Sequence, residues 1–292
     1  MRYPSSMRLL VTGALGMLGQ DVCAVALERG HAVAAFDRKQ LDITDRGAVE
    51  AIVTRERPDA VINCAAWTDV DGAEAHESAA TAVNGAGADN VAAAATAAGA
   101  FVVHVSTDYV FDGEATEPYR EDHPPAPRSA YGRSKLAGEA ALAAAAAGSH
   151  AIVRTAWVFG PHGGNFVATM LRLAAERDEV TVVDDQIGCP TYTGHLAAAL
   201  VEVAEHRTAG ILHVVGQGRC SWFDLAVATF ARTGLDCRVQ RGASADLGRP
   251  APRPAFSVLG ATRPETPVLP PWEQGLDDYL AARLLVTEGT HP

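Results

Sequence analysis

Short apolar, β-branched runs alternating with Ala-rich stretches of helical length constrain this chain more than any other feature. "RLLVTG", "AVAAFD", "DAVINCAA" and "FVVHVST" are four such runs. A strand buried on both faces reads as a continuous apolar run, and parallel neighbours need a crossover long enough to hold a helix. The alternation therefore specifies βαβ units and a doubly wound parallel sheet. A fifth run, "AIVRTAWVFG", follows a helix expected to begin near Tyr131, and "EVTVVDD" is expected to return to the same sheet. The Ala-rich stretch 137–147 reads as ordinary helix, because alanine is the best helix former. After about Gln186 the alternation loosens, and Pro and Gly accumulate through "GRPAPRPAF" and "RPETPVLPPW". The fold class is α/β: a Rossmann-like doubly wound sheet over 7–185, with a smaller, loop-rich C-terminal domain over 186–292 interleaved with it.

Composition removes several classes of function. A chain of 292 residues, 48% hydrophobic, is long enough for one large core or two unequal ones. A formal charge of −11 argues against nucleic acid as a partner, which needs a basic face. No apolar run is long enough to span a bilayer, and "MRYPSSM" lacks the apolar segment of a signal peptide, so no membrane association and a cytoplasmic location are expected. Cys23, Cys64, Cys189, Cys220 and Cys237 are odd in number, scattered and without C-x-x-C spacing; they read as free thiols rather than a disulfide frame or zinc site.

The first chemical signal is "TGALGMLG", between the strand "RLLV" and a helix starting near Met17. Gly13 permits the tight turn, Gly16 lets backbone approach a pyrophosphate, and Gly19 allows close helix-to-strand packing. Free N–H groups at Met17 and Leu18, where the helix starts, would face the anion. The second strand ends in "FDRKQLDITD". Asp37 could bond the adenosine ribose hydroxyls, which favours NADH, whereas Arg38 could hold a 2′-phosphate, which favours NADPH. Asp42 and Ile43 are candidates for the adenine pocket.

"STDYVF" ends the fourth run in hydroxyls and a carboxylate, where ligands of open α/β sheets bind. "YGRSK" follows. On a helix Tyr131 and Lys135 share one face, so the ammonium is expected to lie near the phenol and depress its pKa. Thr107 can bond the same substrate oxygen that Tyr131 protonates. The bland alternative is that Ser106 and Thr107 merely cap the strand.

These segments, with "RPDAVINCAAWTDVDGAE", "NFVATMLRLA", "VVDDQIGCPTYT", "HVVGQG" and "PAPRPAFSVL", resemble the dTDP-4-dehydrorhamnose reductase family of the extended short-chain dehydrogenase/reductases over roughly residues 7–280. The resemblance implies NADPH- or NADH-dependent reduction of the 4-keto group of dTDP-4-dehydro-L-rhamnose. Thr107, Tyr131 and Lys135 would be catalytic, with Lys135 also holding the nicotinamide ribose. Cys64, Ala65, Ala66 and Thr68 would border the dinucleotide. Asp108, Trp157 and Arg253 would meet the substrate, Arg253 at its diphosphate, and the second domain would mainly bind the sugar nucleotide. Related 4,6-dehydratases place an Asp-Glu pair after the threonine; here the residues are Asp108 and Tyr109, so the base for that chemistry is missing. Some family members dimerise through a magnesium site of glutamates. The matching positions are Asp21 and Gly194, and a glycine offers no side-chain ligand. The chain is therefore expected to bind no metal of its own and to be a monomer or weak homodimer, with Mg2+ left a role only on the substrate diphosphate. Two alternatives stay open: reduction of another dTDP-4-keto-6-deoxysugar, of dihydrostreptose type for example, and a non-catalytic role like that of the methionine adenosyltransferase beta subunit. Intact Thr107, Tyr131 and Lys135 count against the latter.

Overall fold

Leu9, Leu10 and Val11 are at most 1% exposed because β1 (Arg8–Thr12) is an inner strand, paired on both edges. The computed structural model describes residues 6–288, with side chains as far as Arg283. From β1 the chain runs through α1 (Met17–Glu28), β2 (Ala32–Phe36), α2 (Arg46–Glu56) and β3 (Ala60–Asn63). Next come the short α3 (Val70–Ala75) and α4 (Glu77–Thr81), a π-helical turn over Ala82–Gly87, α5 (Ala88–Ala97) and β4 (Phe101–Thr107). Then α6 (Ala130–Ala145), β5 (His150–Thr155), β6 (Val158–Phe159), α7 (Phe166–Glu176), β7 (Glu179–Val183), β8 (Ile187–Gly188) and β9 (Thr191–Tyr192) follow. The remaining elements are α8 (Thr193–His206), β10 (Gly210–His213), β11 (Cys220–Ser221), α9 (Trp222–Thr233), β12 (Arg238–Gly242) and α10 (Trp272–Glu288).

Six parallel strands form the main sheet in the order β2-β1-β3-β4-β5-β10. Helices cover both faces, as an all-parallel sheet requires. Val22 and Ala26 of α1 pack with Leu196, Leu200 and Val203 of α8 on one side. Val49 and Val53 of α2, Val91 of α5 and Leu142 of α6 fill the other. The strand order reverses between β1 and β3, which opens a crevice at their carboxyl ends.

"EVTVVDD" does not join this sheet. As β7 it pairs in parallel with β12 in a separate two-stranded sheet. Its Glu179 and Thr181 are exposed while Val180 and Val182 are buried. One apolar face suits a strand covered on one side by α7 and α9, not an inner strand. The sixth strand of the main sheet is instead β10, drawn from beyond Gln186. The Ala-rich stretch forms the end of α6, and all five cysteines are free thiols. Among the described residues no helix is long and apolar enough to cross a membrane, and no group of three or more His, Cys, Asp or Glu could hold a metal ion.

Candidate functional site

A cleft of about 820 Å³ opens along the carboxyl ends of β1 to β5, within the size range of ligand pockets. At one end lies the glycine turn. Gly13 sits at φ +66, the left-handed region that glycine enters freely, and a Cβ there would press on the Ala65 backbone. A Cβ on Gly19 would overlap the Gly13 carbonyl, so only glycine lets α1 start this close to the turn. Gly16 is the N-cap residue of α1, with no side-chain cap and no acidic residue in the first turn. The first N–H groups of α1 are thus left for an anion. Met17, Leu18 and Cys64, Ala65, Ala66 and Thr68 line the same end, as do Asp37, Arg38, Asp42 and Ile43.

Asp37 is already engaged: its Oδ1 accepts from the N–H groups of Lys39 (2.9 Å) and Gln40 (2.8 Å). Asp42 likewise accepts from Thr44 N–H and Oγ1, bonds that hold its carboxyl below the ordinary value. Both carboxylates shape the loop after β2 and, with Arg38 and Lys39, line the cleft.

At the other end α6 and β4 meet. Ser129 accepts from the Gly132 N–H (3.0 Å) and caps α6, which places Tyr131 in its first turn. Tyr131 packs edge-on against Tyr109 at 5.5 Å, and Thr107 lines the cleft with it. Thr107 also accepts from Tyr109 N–H (3.2 Å) and donates to Asp108 Oδ1 (3.0 Å). Lys135 is 2% exposed, and its Nζ donates to the Val105 carbonyl (2.7 Å).

The expected lowering of the tyrosine pKa is not found. Burial pushes the Tyr131 phenol up to about 12, with Thr107 offsetting part of the effect and the Asp108 charge adding to it. Loss of water around the phenolate dominates, and the Lys135 ammonium bonds the Val105 carbonyl instead of the phenol. Lys135 itself moves down to about 8, chiefly by burial.

Ser106 and Thr107 divide their labour. The Ser106 hydroxyl donates to Glu139 Oε1 (2.6 Å), and Arg154 of β5 donates to the same carboxylate through Nε (2.9 Å) and Nη2 (2.7 Å). Arg154 is 1% and Glu139 4% exposed. Tyr131, Lys135 and Glu139 are spaced by four along α6, so one helix face bears two cleft residues and the anchor that ties the helix to the sheet.

Asp108, 2% exposed, is pushed up to about 6 by burial, partly offset by Ser257 and Thr107. Its Oδ2 and the Ser257 Oγ are both buried without a well-formed hydrogen bond. A raised carboxyl pKa costs stability at neutral pH. Below about pH 4 folded and unfolded chains both hold the proton; between about pH 4 and 6 only the folded chain does, so stability falls as pH rises through that window. Asp108→Asn should therefore be more stable than wild type at pH 7 by roughly 1–3 kcal/mol, with the gap closing below about pH 4. Denaturant unfolding at the two pH values measures it; an equal gap at both would contradict it.

Trp157 also lines the cleft. Its φ of +47 is unusual for a bulky residue, and its indole stacks on Trp222 at 3.6 Å and 5°. Trp222 was not singled out from the sequence, although Ser221 and Asp224 form a capping box that marks "CSWFDLA" as a helix start. Trp67 and Lys39 are further additions. So is Asn84, which lies in the π-helical turn. Its Oδ1 accepts from Trp67 N–H (2.8 Å) and its Nδ2 donates to Ser134 Oγ (2.8 Å), clipping the "CAAWT" loop to α6. Arg253 lies outside the main cleft, on a shallow adjoining recess with Tyr109 and Ser129. Asp71 accepts from both of its terminal nitrogens, at 2.8 and 2.9 Å.

A doubly wound sheet, an uncapped glycine-turn helix and a Thr-Tyr-Lys cluster facing one cleft define a dinucleotide-dependent reductase of the short-chain type. The family model described as "RmlD substrate binding domain" matches residues 7–284. The chain is 48% identical to a dTDP-4-dehydrorhamnose reductase of Streptomyces griseus, over 96% of this chain and 95% of that one. It is 46% identical to a dTDP-4-keto-6-deoxy-D-glucose reductase of Streptomyces niveus, covering 87% and 88% of the two chains. Among solved structures, dTDP-4-dehydrorhamnose reductase of Bacillus anthracis in complex with NADP superposes with a TM-score of 0.92 at 38% identity, over 95% of this chain and 99% of that one. The chain belongs to the dTDP-4-dehydrorhamnose reductase family.

Proposed function

We propose that this protein reduces the 4-keto group of dTDP-4-dehydro-L-rhamnose to give dTDP-L-rhamnose, with NADPH as reductant. The observation that carries the reading is the convergence of Thr107, Tyr131 and Lys135 on a cleft whose far end is the glycine turn. The chain's own residues fit a dinucleotide: Gly13 and Gly16 leave room for its pyrophosphate, and α1 presents uncapped N–H groups. When bound, the reduced nicotinamide supplies a hydride to the carbonyl carbon.

The protein's residues manage the oxygen. A phenol whose pKa is raised to about 12 stays protonated at neutral pH, which suits a donor in the reducing direction. As charge develops on the sugar oxygen, a stronger base than phenolate, Tyr131 gives up its proton, and the Thr107 hydroxyl, turned from Asp108 Oδ1, steadies the same oxygen. The stacked Trp157 and Trp222 form a flat apolar wall that keeps water from the sugar side. We assign most of the sugar-nucleotide side to residues 186–292 and the diphosphate to Arg253, which Asp71 holds beside Tyr109 at the edge of the cleft.

Asp37 is committed to its own loop, whereas Arg38 and Lys39 put two cations on the cleft wall; this favours NADPH. Arg38→Ala should raise KM for NADPH roughly tenfold or more, the worth of a charge-assisted hydrogen bond, and leave KM for NADH nearly unchanged. Equal changes for both cofactors would remove Arg38 from phosphate recognition. We read the enzyme as cytoplasmic and as a monomer or weak homodimer: Asp21 faces His162 at 3.4 Å, and Gly194 offers no ligand for a bridging metal.

A second reading, reduction of dTDP-4-keto-6-deoxy-D-glucose, draws on the Streptomyces niveus relative. The two are separated by kcat/KM on both keto sugars, each generated enzymatically. A ratio favouring the rhamnose precursor supports the proposal, and the reverse ratio supports the alternative.

A further inference from the structure

Thr12, Asn63 and His104 stand side by side on β1, β3 and β4, because the sheet register pairs Thr12 with Asn63 and Asn63 with His104. Each is at most 1% exposed, and Lys135 of α6 completes the row. Polar side chains on inner strands must be hydrogen-bonded or they destabilise the fold. Here the bonds have a direction. Thr12 Oγ1 donates to Asn63 Oδ1 (2.6 Å), and the Ala65 N–H donates to the same oxygen (3.2 Å). Two donors on one oxygen fix the amide and leave Nδ2 facing His104 Nδ1 at 3.0 Å. An amide nitrogen only donates, so His104 Nδ1 accepts, and the neutral ring carries its proton on Nε2. His104 Nε2 in turn faces Lys135 Nζ at 3.5 Å.

An ammonium has three donors and no acceptor, so an Nε2–H opposes it; a neutral amine offers that N–H a lone pair. We propose that Asn63 and His104 are positioning residues that lock a neutral, Nε2-protonated imidazole against Lys135, favouring the amine over the ammonium at the residue that serves Tyr131. The other groups facing Lys135 are Glu139 one turn later on α6 and Cys64 after β3, both of which favour the ammonium, and the Val105 carbonyl that accepts from Nζ. His104 is held well below its ordinary pKa by burial, with Lys135 and His150 adding to the effect. The ring therefore stays neutral, and the tautomer is what the row controls. Because Thr12 immediately precedes the Gly13 turn and Ala65 lines the cleft, the same row joins the cofactor end of the site to its catalytic lysine.

The inference rests on the reading above only in giving Lys135 a catalytic part. Long-range 1H–15N correlation on histidine-labelled full-length protein reads the tautomer without substrate, so its failure is distinguishable from failure of the reductase reading. The expected result is a single Nε2–H tautomer for His104 that does not change between about pH 6 and 9. An Nδ1–H tautomer, or a mixture, overturns the proposal. Asn63→Asp supplies an acceptor at Nδ1 and reverses the tautomer, so that Nε2 accepts from the ammonium. The Lys135 Cε titration and the alkaline limb of the kcat profile should then both move to higher pH, by about one unit or more. A folded Asn63→Asp protein in which neither moves also overturns it. Should that variant not fold, the wild-type tautomer still decides.

Discussion

Tyr131→Phe is expected to lower kcat by about 10²–10⁴-fold, the usual worth of a positioned general acid, while NADPH affinity stays as in wild type. The substitution removes one oxygen and keeps the ring, so its edge-on packing against Tyr109 and the capped start of α6 persist. What disappears is the proton that meets the developing charge at the sugar oxygen. Thr107, turned from Asp108, can still donate there but is no acid. Steady-state kinetics beside a direct cofactor titration measures both halves. A kcat within about tenfold of wild type would remove Tyr131 from the donor role, and a matching loss of NADPH affinity would show that the phenol serves binding instead.

Glu139→Ala should cost about 3–5 kcal/mol of stability, because it leaves the Arg154 guanidinium buried without a counter-charge. Arg154 is 1% exposed, one of its nitrogens already lacks a partner, and the Ser106 hydroxyl would lose its acceptor as well. Such a loss is a large fraction of a total stability of about 5–15 kcal/mol. It also frees the face of α6 that positions Tyr131 and Lys135. Denaturant unfolding of the single variant, set beside Glu139→Gln with Arg154→Met, separates the orphaned charge from lost packing. The double variant should recover much of the deficit, since it removes both charges together and leaves neither one buried alone, while the glutamine still offers Ser106 an acceptor. If Glu139→Ala cost less than about 1 kcal/mol, the pair would not anchor the helix.

The cofactor half of the site was legible because its chemistry is local. Gly13, Gly16 and Gly19 lie within one turn and its following helix, and backbone geometry at Gly13 and Gly19 admits little but glycine. Tyr131 and Lys135 were legible for a similar reason, since helical spacing alone puts them on one face. Trp222 meets Trp157 through tertiary folding across a long stretch of chain, and no short-range pattern announces such a stack. Asn84 depends on a π-helical turn, which propensity does not specify. The separate sheet of β7 with β12 escaped because "EVTVVDD" satisfies the composition of an inner strand, while only its alternating burial gives it away. The direction of the tyrosine shift depends on how deeply α6 buries its first turn, which residue spacing leaves undetermined.

Transfer of deuterium from C4-labelled NADPH tests the account at its centre. With dTDP-4-dehydro-L-rhamnose formed in situ by a 4,6-dehydratase and a 3,5-epimerase, the product would be examined by NMR. The account requires the label on C4 of dTDP-L-rhamnose, one deuterium for each NADPH consumed, with transfer slowed as stated above in Tyr131→Phe. Cofactor that binds but is never oxidised in the presence of this sugar, or a product with no label at C4, would contradict it.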